Sequence, residues 1–264
     1  MKDKEKEKKE WLETDKQYIN CLSSESELWN YLNSLPIEYL LMLLEELGRF
    51  NYHTVSDKAE EKIANTGNKE FLKRLSRVEY LSIAAESACA ATGDYEIINE
   101  LLKRSDLSWW VQKTIAETGN PEFIDKLLMR EDLLGEVQVA IAQSGNKNTT
   151  LKLLEKKNCC YVKLTEHFLA NNQLEYIKII LEREYLSENC LRIIAQSGNK
   201  ELISILLEKE CLIHRAQKII AEEVSDKEIL LNLLSRDNIT DAALLILVKK
   251  FGFNLRQALA EYLD

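Results

Sequence analysis

The sequence predicts an all-α fold, a right-handed α-solenoid of about seven short helix-turn-helix repeats with capping helices at both ends. Three observations support this prediction. A phrase built on Ala-x-x-Gly-Asn recurs about every 26 residues, a spaced pattern of apolar pairs follows it, and residues that break helices are scarce. Self-similarity at a period of about 20 to 50 residues is typical of proteins built from stacked repeats.

The recurring phrase predicts a tight turn between two helices. Its glycine stands at positions 67, 93, 119, 145 and 198 of a chain that has only 8 glycines and 2 prolines. Glycine directly after a helix tolerates the left-handed backbone conformation, and the Asn or Asp that follows is a good N-cap for the next helix. Helix is therefore expected nearly throughout the chain.

The unit at 106–131 shows the pattern most clearly. A first helix ends at Gly119, Asn120 caps a second helix, and Pro121 takes its first position, where proline is tolerated. The expected apolar positions are Leu107, Val111 and Ile115 in the first helix and Phe123, Ile124, Leu127 and Leu128 in the second. Two later units lack the glycine. Asn172 can still adopt the left-handed conformation, but Val224 cannot do so comfortably, so its turn must differ.

Four segments follow in order along the chain. A charged N-terminal segment is expected to be a solvated or frayed helix, and two short capping helices split at Pro36 follow it. The repeat array comes next. A helix pair around Gly252 lacks the repeat motif and is expected to cap the C-terminal end of the array. The expected boundaries are 1–20, 21–53, 54–236 and 237–264.

A basic residue follows most of the second helices, for example Arg104, Arg130 and Arg183, with an acid or amide close behind. One interpretation is a charged ridge for binding. The other is that the cation complements a helix C-terminus and the acid or amide caps the next helix. We favour the structural interpretation because the two signs alternate and cancel.

The segment Gly119-Asn120-Pro121-Glu122-Phe123-Ile124-Asp125-Lys126-Leu127-Leu128, with Asp132 and Val137-Gln138 after it, resembles bacterial HEAT-like repeats and the variant leucine-rich repeats. In the HEAT-like repeats, a Gly-Asp-Pro-Glu turn, a Leu-rich helix, an Asp and a Val-Arg pair follow in that order. Gln112 and Gln138 replace the arginine, so the family's stacked Asp–Arg ladder is not expected to carry over unchanged. The resemblance implies the fold and is nearly silent on function, since such arrays serve many unrelated partners.

Composition and net charge narrow the classes of partner that the chain can bind. A net charge of −9 and a pI near 5.2 argue against nucleic-acid binding and permit a partner protein that is basic. The start of the sequence lacks the apolar region of a signal peptide, and no apolar run is long enough to span a membrane. Cys89 and Cys190 fall at apolar repeat positions, whereas the adjacent Cys159 and Cys160 are either packing residues, which we favour, or a redox pair. We expect a reduced, cytoplasmic protein that does not interact with membranes.

Catalysis finds little support in the residues. His53, His167 and His214 lie in three different units and have no metal-ligand spacing. No P-loop, GxSxG, HExxH or dinucleotide-binding motif occurs. We therefore expect no catalytic residue, metal or cofactor.

Candidate binding residues lie where the repeats disagree. Trp109 corresponds to Ile83 in the preceding repeat. Trp110 occupies a position that holds Glu136, Asn189 and Arg215 in sister repeats, so we expect Trp110 in particular to be exposed. The alternative, which we favour slightly, is that the two tryptophans close a gap against the preceding repeat. On the second helices, Ile179, Ile205 and Leu231 indicate an apolar patch on a concave face, although local burial explains them about as well.

The expected function is a non-catalytic protein-binding scaffold or inhibitor. The main alternative is a HEAT-like nucleic-acid-binding or repair protein similar to the alkylpurine DNA glycosylases, which would need a concave basic row. Arg74, Lys126 and Lys152 offer one, but Glu100 interrupts it. A third possibility, a lyase or protein-modifying member of the HEAT-like group, has no residue constellation in its favour.

Overall fold

The computed structural model describes residues 2–22, 24–47, 50, 53–209, 213–236 and 238–251, with the backbone alone for residues 2–10, 12 and 213. These residues form eighteen α-helices and no strand. The prediction of an all-α protein is confirmed. The chain divides into two compact units, unit 1 at 1–133 with 143–145 and unit 2 at 134–142 with 146–264.

Unit 1 begins with a long helix and two short ones that are separated at Pro36, as the sequence predicts, and continues with three helix pairs. Its helices are α1 (Lys2–Cys21), α2 (Glu25–Ser34), α3 (Ile37–Leu47), α4 (His53–Ala64), α5 (Lys69–Leu75), α6 (Ile83–Ala91), α7 (Tyr95–Leu102), α8 (Trp109–Glu117) and α9 (Pro121–Leu128).

The helices of unit 1 pack in two rows. In one row α2 packs against α4, α4 against α6 and α6 against α8, and in the other α3 packs against α5, α5 against α7 and α7 against α9. Each helix thus contacts the equivalent helix of the neighbouring repeat. The first row buries Val55, Ala85 and Val111, and the second buries Leu72, Ile98 and Ile124.

Unit 2 contains four further helix pairs and one final helix. These are α10 (Gly135–Ser144), α11 (Lys147–Glu155), α12 (Tyr161–Ala170), α13 (Leu174–Leu181), α14 (Glu188–Gln196), α15 (Lys200–Glu208), α16 (Ile213–Glu223), α17 (Lys227–Leu234) and α18 (Asp241–Phe251). Within unit 2, α12 packs against α14, α14 against α16 and α16 against α18, while α11 packs against α13 and α13 against α15. The second helix of the expected C-terminal cap lies outside the described residues.

The turn between the two helices of a repeat follows the prediction at four glycines. Gly67, Gly93, Gly119 and Gly198 have φ between 61° and 68°. The next residue caps the second helix with its side chain, as Asn120 does by accepting a hydrogen bond from the backbone of Glu122.

The residue before each of these glycines completes the turn, which the sequence analysis did not anticipate. The Thr118 hydroxyl donates to the Ile115 carbonyl at 2.7 Å and accepts from the Asn120 amide at 3.3 Å. Thr66, Thr92 and Ser197 make the same two bonds. The hydroxyl therefore ties the end of one helix to the cap of the next.

The turn at Gly145 differs from the prediction, because Gly145 does not adopt positive φ. The Ser144 hydroxyl donates to the carbonyl of Ala116, in helix α8, at 2.7 Å. Helix α10 continues to Ser144, and Asn146 caps α11 directly. As predicted, Asn172 stands in place of a glycine and adopts φ 55°. Val224, directly after α16, does not adopt positive φ, and its side chain is buried.

The basic residues after the second helices have a structural role, in line with the favoured interpretation. Arg104 donates to the carbonyls of Val78 and Glu79, and Arg130 donates to those of Arg104 and Ser105. Each arginine thus satisfies carbonyl groups beyond the preceding second helix. The expectation that an acid or amide caps the next helix is wrong for three first helices. In each of them a serine side chain accepts the capping hydrogen bond. These serines are Ser82, Ser108 and Ser187.

Candidate functional site

The structure places the candidate binding residues in two separate groups. Trp109 and Trp110 begin α8 in unit 1. Ile179, Ile205 and Leu231 lie on three second helices of unit 2, α13, α15 and α17.

The two tryptophans are both exposed, Trp109 by 38% and Trp110 by 50%. Ser108 caps α8 by accepting from the Val111 amide, which fixes the start of the helix next to the rings. The two rings contact each other edge to face, with centroids 5.0 Å apart. The expectation that Trp110 is exposed is confirmed. Half or more of each side chain is nevertheless covered, so the favoured alternative, in which the pair closes a gap against the preceding repeat, stays a prediction.

Ile83 extends the apolar surface beside the tryptophans. It holds the position of Trp109 in the preceding repeat, begins α6, and is 59% exposed. Because α6 packs against α8, the two positions lie on neighbouring helices of unit 1. Ile83, Trp109 and Trp110 form what we call the tryptophan ridge. Comparison of equivalent repeat positions already paired Ile83 with Trp109, but an isoleucine alone gave no signal that it was exposed.

The apolar patch expected on the second helices of unit 2 is only partly at the surface. Ile179 and Ile205 are half-buried, and Leu231 is only 5% exposed. Helix α17 contacts both α16 and α18, so apolar side chains on more than one of its faces are covered. The alternative of local burial therefore applies to Leu231, which presents almost no surface to a partner.

Ion pairs link successive second helices. Arg74 donates through Nε and Nη2 to the two carboxylate oxygens of Glu45, at 2.8 and 2.7 Å. Lys126 lies 3.0 Å from Glu122 and also donates to the side chain of Asn99. Two of the three cations in the suggested basic row are thus engaged by oxygens of this chain.

More such pairs cross between neighbouring second helices. In unit 1 they join Lys69 with Asp94 and Lys73 with Glu96, and in unit 2 they join Lys178 with Glu201 and Lys200 with Glu228. This face of the second helices therefore carries interleaved charges of both signs.

Buried polar side chains recur at one position of the first helices, three of them in unit 1 and two in unit 2, and the sequence analysis missed them. These residues are Glu60, Glu86, Gln112, Gln138 and Gln217, which we call the polar ladder, and all are at most 3% exposed. Gln112 and Gln138 are the residues that stand where the resembled family has arginine. The recurrence of Glu or Gln at this spacing was the available signal.

Most members of the polar ladder bind the residue that immediately precedes the next first helix. Glu60 accepts from the Ser82 amide at 2.6 Å, Gln138 from the Cys160 amide at 2.7 Å, and Gln217 from the Thr240 amide at 2.8 Å. A backbone hydrogen bond from Ser108 reaches Glu86 in the same way. These bonds set the position of one repeat against the next, which makes them architectural.

Gln112 and Glu86 have additional partners. Gln112 donates to the Leu107 carbonyl at 2.8 Å and to the Asp132 carboxylate at 3.1 Å, so an Asp–Gln contact stands where the family has Asp–Arg. Burial raises the pKa of the Glu86 carboxyl, although Arg104, whose Nε lies 3.2 Å from it, opposes that rise.

Burial shifts the pKa values of two cysteines and one histidine away from the values that favour reactivity. Burial raises the pKa of the Cys89 and Cys159 thiols to about 12, which keeps them protonated at neutral pH and poorly nucleophilic. Burial lowers the pKa of His167. Among the described residues, no three His, Cys, Asp or Glu side chains are grouped so that they could hold a metal ion.

A groove between α15 and α17 has a volume of about 190 Å³. This volume is below the roughly 300 to 1,000 Å³ of typical small-molecule sites. Lys200, which lines it, is paired with Glu228 and Asp226. The groove therefore gives no argument for a bound small molecule.

Three comparisons with known proteins bear on the family. No family model, no curated protein and no solved structure matches the chain. Of the helices in the described ranges, none combines the length and the apolar character that crossing a membrane requires.

Proposed function

We propose that the chain is a non-catalytic protein-binding scaffold or inhibitor, built as a right-handed α-solenoid of HEAT-like repeats. The two rows of helices inside each unit support this architecture, because each row joins equivalent helices of successive repeats. Repeat proteins of this kind offer extended surfaces to partners.

The exposure of the Trp109–Trp110 pair is the observation on which the binding role depends. Tryptophan is enriched among the residues that dominate the free energy of protein–protein binding. Sister repeats place Glu, Asn or Arg at the position of Trp110, so the fold does not require an aromatic ring there. Two adjacent exposed indoles are then best explained by a partner that covers them.

The nucleic-acid alternative is disfavoured by the charges. Affinity for duplex DNA comes largely from cations that neutralise phosphates. Arg74 and Lys126 are engaged by Glu45 and Glu122, and the chain carries a net charge of −9. We expect no binding to duplex DNA at low salt, and binding that weakens steeply with added salt would support the alternative.

The proposal is tested by crosslinking and pull-down from the native cell, followed by mass spectrometry. The wild-type chain should capture a protein that the Trp110→Ala variant loses. Tyr185→Ala is the matched control, since Tyr185 is 79% exposed in unit 2 and should not matter. Thermal unfolding followed by circular dichroism checks that both variants fold. If folded Trp110→Ala captures the same proteins as the wild type, the ridge is not the binding surface.

A further inference from the structure

We propose that the tryptophan ridge docks a basic, amphipathic helix of the partner protein, and that Trp110 exchanges its own Lys113 for a cationic side chain of that helix. This inference rests on the proposed function and adds the chemistry of the partner. Three properties of the ridge support it. These are the spacing of its apolar side chains, the cation that already lies on Trp110, and the charged residues around the ridge.

The apolar side chains of the ridge are spaced for a helix. Ile83 and Trp109 hold equivalent positions on two packed helices, whose axes lie about 8–10 Å apart in such packing. Residues seven apart in a helix are separated by about 10.5 Å along its axis. An amphipathic helix laid across α6 and α8 can therefore place one apolar side chain on each position.

The face of Trp110 already binds a cation. The ammonium of Lys113 lies 5.3 Å from the ring centroid, and it is 3.6 Å from the Glu117 carboxylate. The negative face of an indole attracts ammonium and guanidinium groups. Lys113 is three residues from Trp110 and its side chain is 35% exposed. A partner's lysine or arginine can therefore replace its ammonium on the ring without rearranging the backbone.

The charges around the ridge favour a basic partner. Glu117 stands beside the cation site, Asp106 precedes Trp109, and Glu79 precedes Ile83, and all three are exposed. Asp106 is already paired with Arg104, whose Nε lies 3.8 Å from its carboxylate and whose guanidinium also contacts Glu86 and two backbone carbonyls. The negative charge that a partner meets therefore comes mainly from Glu79 and Glu117. A helix with arginines or lysines beside its apolar face thus meets carboxylates at the rim, which favours association with that sign of charge.

The test uses two synthetic amphipathic helical peptides with the same leucine face. One carries arginine and lysine beside that face, and the other carries glutamate at the same positions. Binding to the full chain is measured by isothermal titration calorimetry at low salt. We expect the basic peptide to bind and the acidic peptide to bind at least about tenfold more weakly, since like charges at an interface are repelled.

Variants separate the ridge from general charge attraction. Trp110→Ala should lower the affinity of the chain for the basic peptide, whereas Tyr185→Ala should leave that affinity unchanged. Lys113→Ala removes the competing cation and favours helix, so it should tighten binding by about two- to fivefold, the factor expected for one exposed cation–π contact.

Equal binding of the two peptides, or weaker binding of the basic peptide to Lys113→Ala, would overturn the inference. So would the absence of peptide binding in a chain whose Trp110→Ala variant still loses its cellular partner. In that last case the scaffold function stands and only the basic chemistry of the partner is wrong.

Discussion

The polar ladder gives the sharpest prediction about stability, at Gln138. Its side chain is 1% exposed, donates to the Asn158 carbonyl at 2.9 Å, and accepts from the Cys160 amide at 2.7 Å. Gln138→Leu keeps the approximate size of the side chain but removes both bonds. Each lost bond and unsatisfied partner costs on the order of 1–1.5 kcal/mol, so we expect a loss of about 2–3 kcal/mol.

The loss should be local to unit 2 at first, because both partners precede α12. Hydrogen exchange followed by mass spectrometry measures it at the amide of Cys160. A loss of about 2 kcal/mol corresponds to exchange roughly 30-fold faster. Chemical unfolding followed by circular dichroism gives the accompanying change in global stability.

Gln143→Leu is the matched control, since Gln143 lies in the same helix and is exposed. It should change stability by no more than about 0.5 kcal/mol. Equal stability of the two variants, or unchanged exchange at Cys160 in Gln138→Leu, would show that the ladder does not hold the repeats together.

Two further predictions concern Glu86 and the turn glycines. Because burial raises the folded-state pKa of Glu86, its contribution to stability is present below its unfolded pKa and is lost as pH rises through the folded pKa. Glu86→Gln should therefore gain stability relative to wild type between pH 4, which is below the unfolded pKa, and pH 7, as measured by urea unfolding at both values. An advantage that is greater at pH 4 would contradict the sign. Gly198→Ala places Cβ in open space but at φ 65°, so it should cost about 1–2 kcal/mol by thermal unfolding. Gly145→Ala should cost less than about 0.5 kcal/mol because Gly145 lacks positive φ, and equal costs at the two glycines would refute the backbone explanation.

Local features of the fold were readable from the sequence because they depend on neighbouring residues. The left-handed Gly119 and the cap at Asn120 follow from backbone sterics and from amides left unpaired at a helix start. The turn at Gly145 does not follow these rules, and there the Ser144 hydroxyl bonds to the distant Ala116 carbonyl. No pattern within the turn itself encodes that contact.

The candidate site was less predictable because exposure depends on tertiary packing. A charged or polar residue at an equivalent position marked Trp110 as exposed, and this comparison succeeded. The apolar patch expected on the second helices also included Leu231, with local burial as the alternative. Helix α17 lies against both α16 and α18, and the Leu231 side chain is buried. The polar ladder was missed although Glu or Gln recurs at its positions, because that recurrence does not show that the side chains are buried and bind backbone groups of the next repeat.

The most direct test of the account is a hydrogen-exchange footprint of the chain with its captured partner. If the tryptophan ridge is the binding surface, peptides that cover the starts of α6 and α8 should gain protection. Peptides from the second helices α5 and α9 should not change. Protection confined to those second helices, with the start of α8 unaffected, would contradict the account.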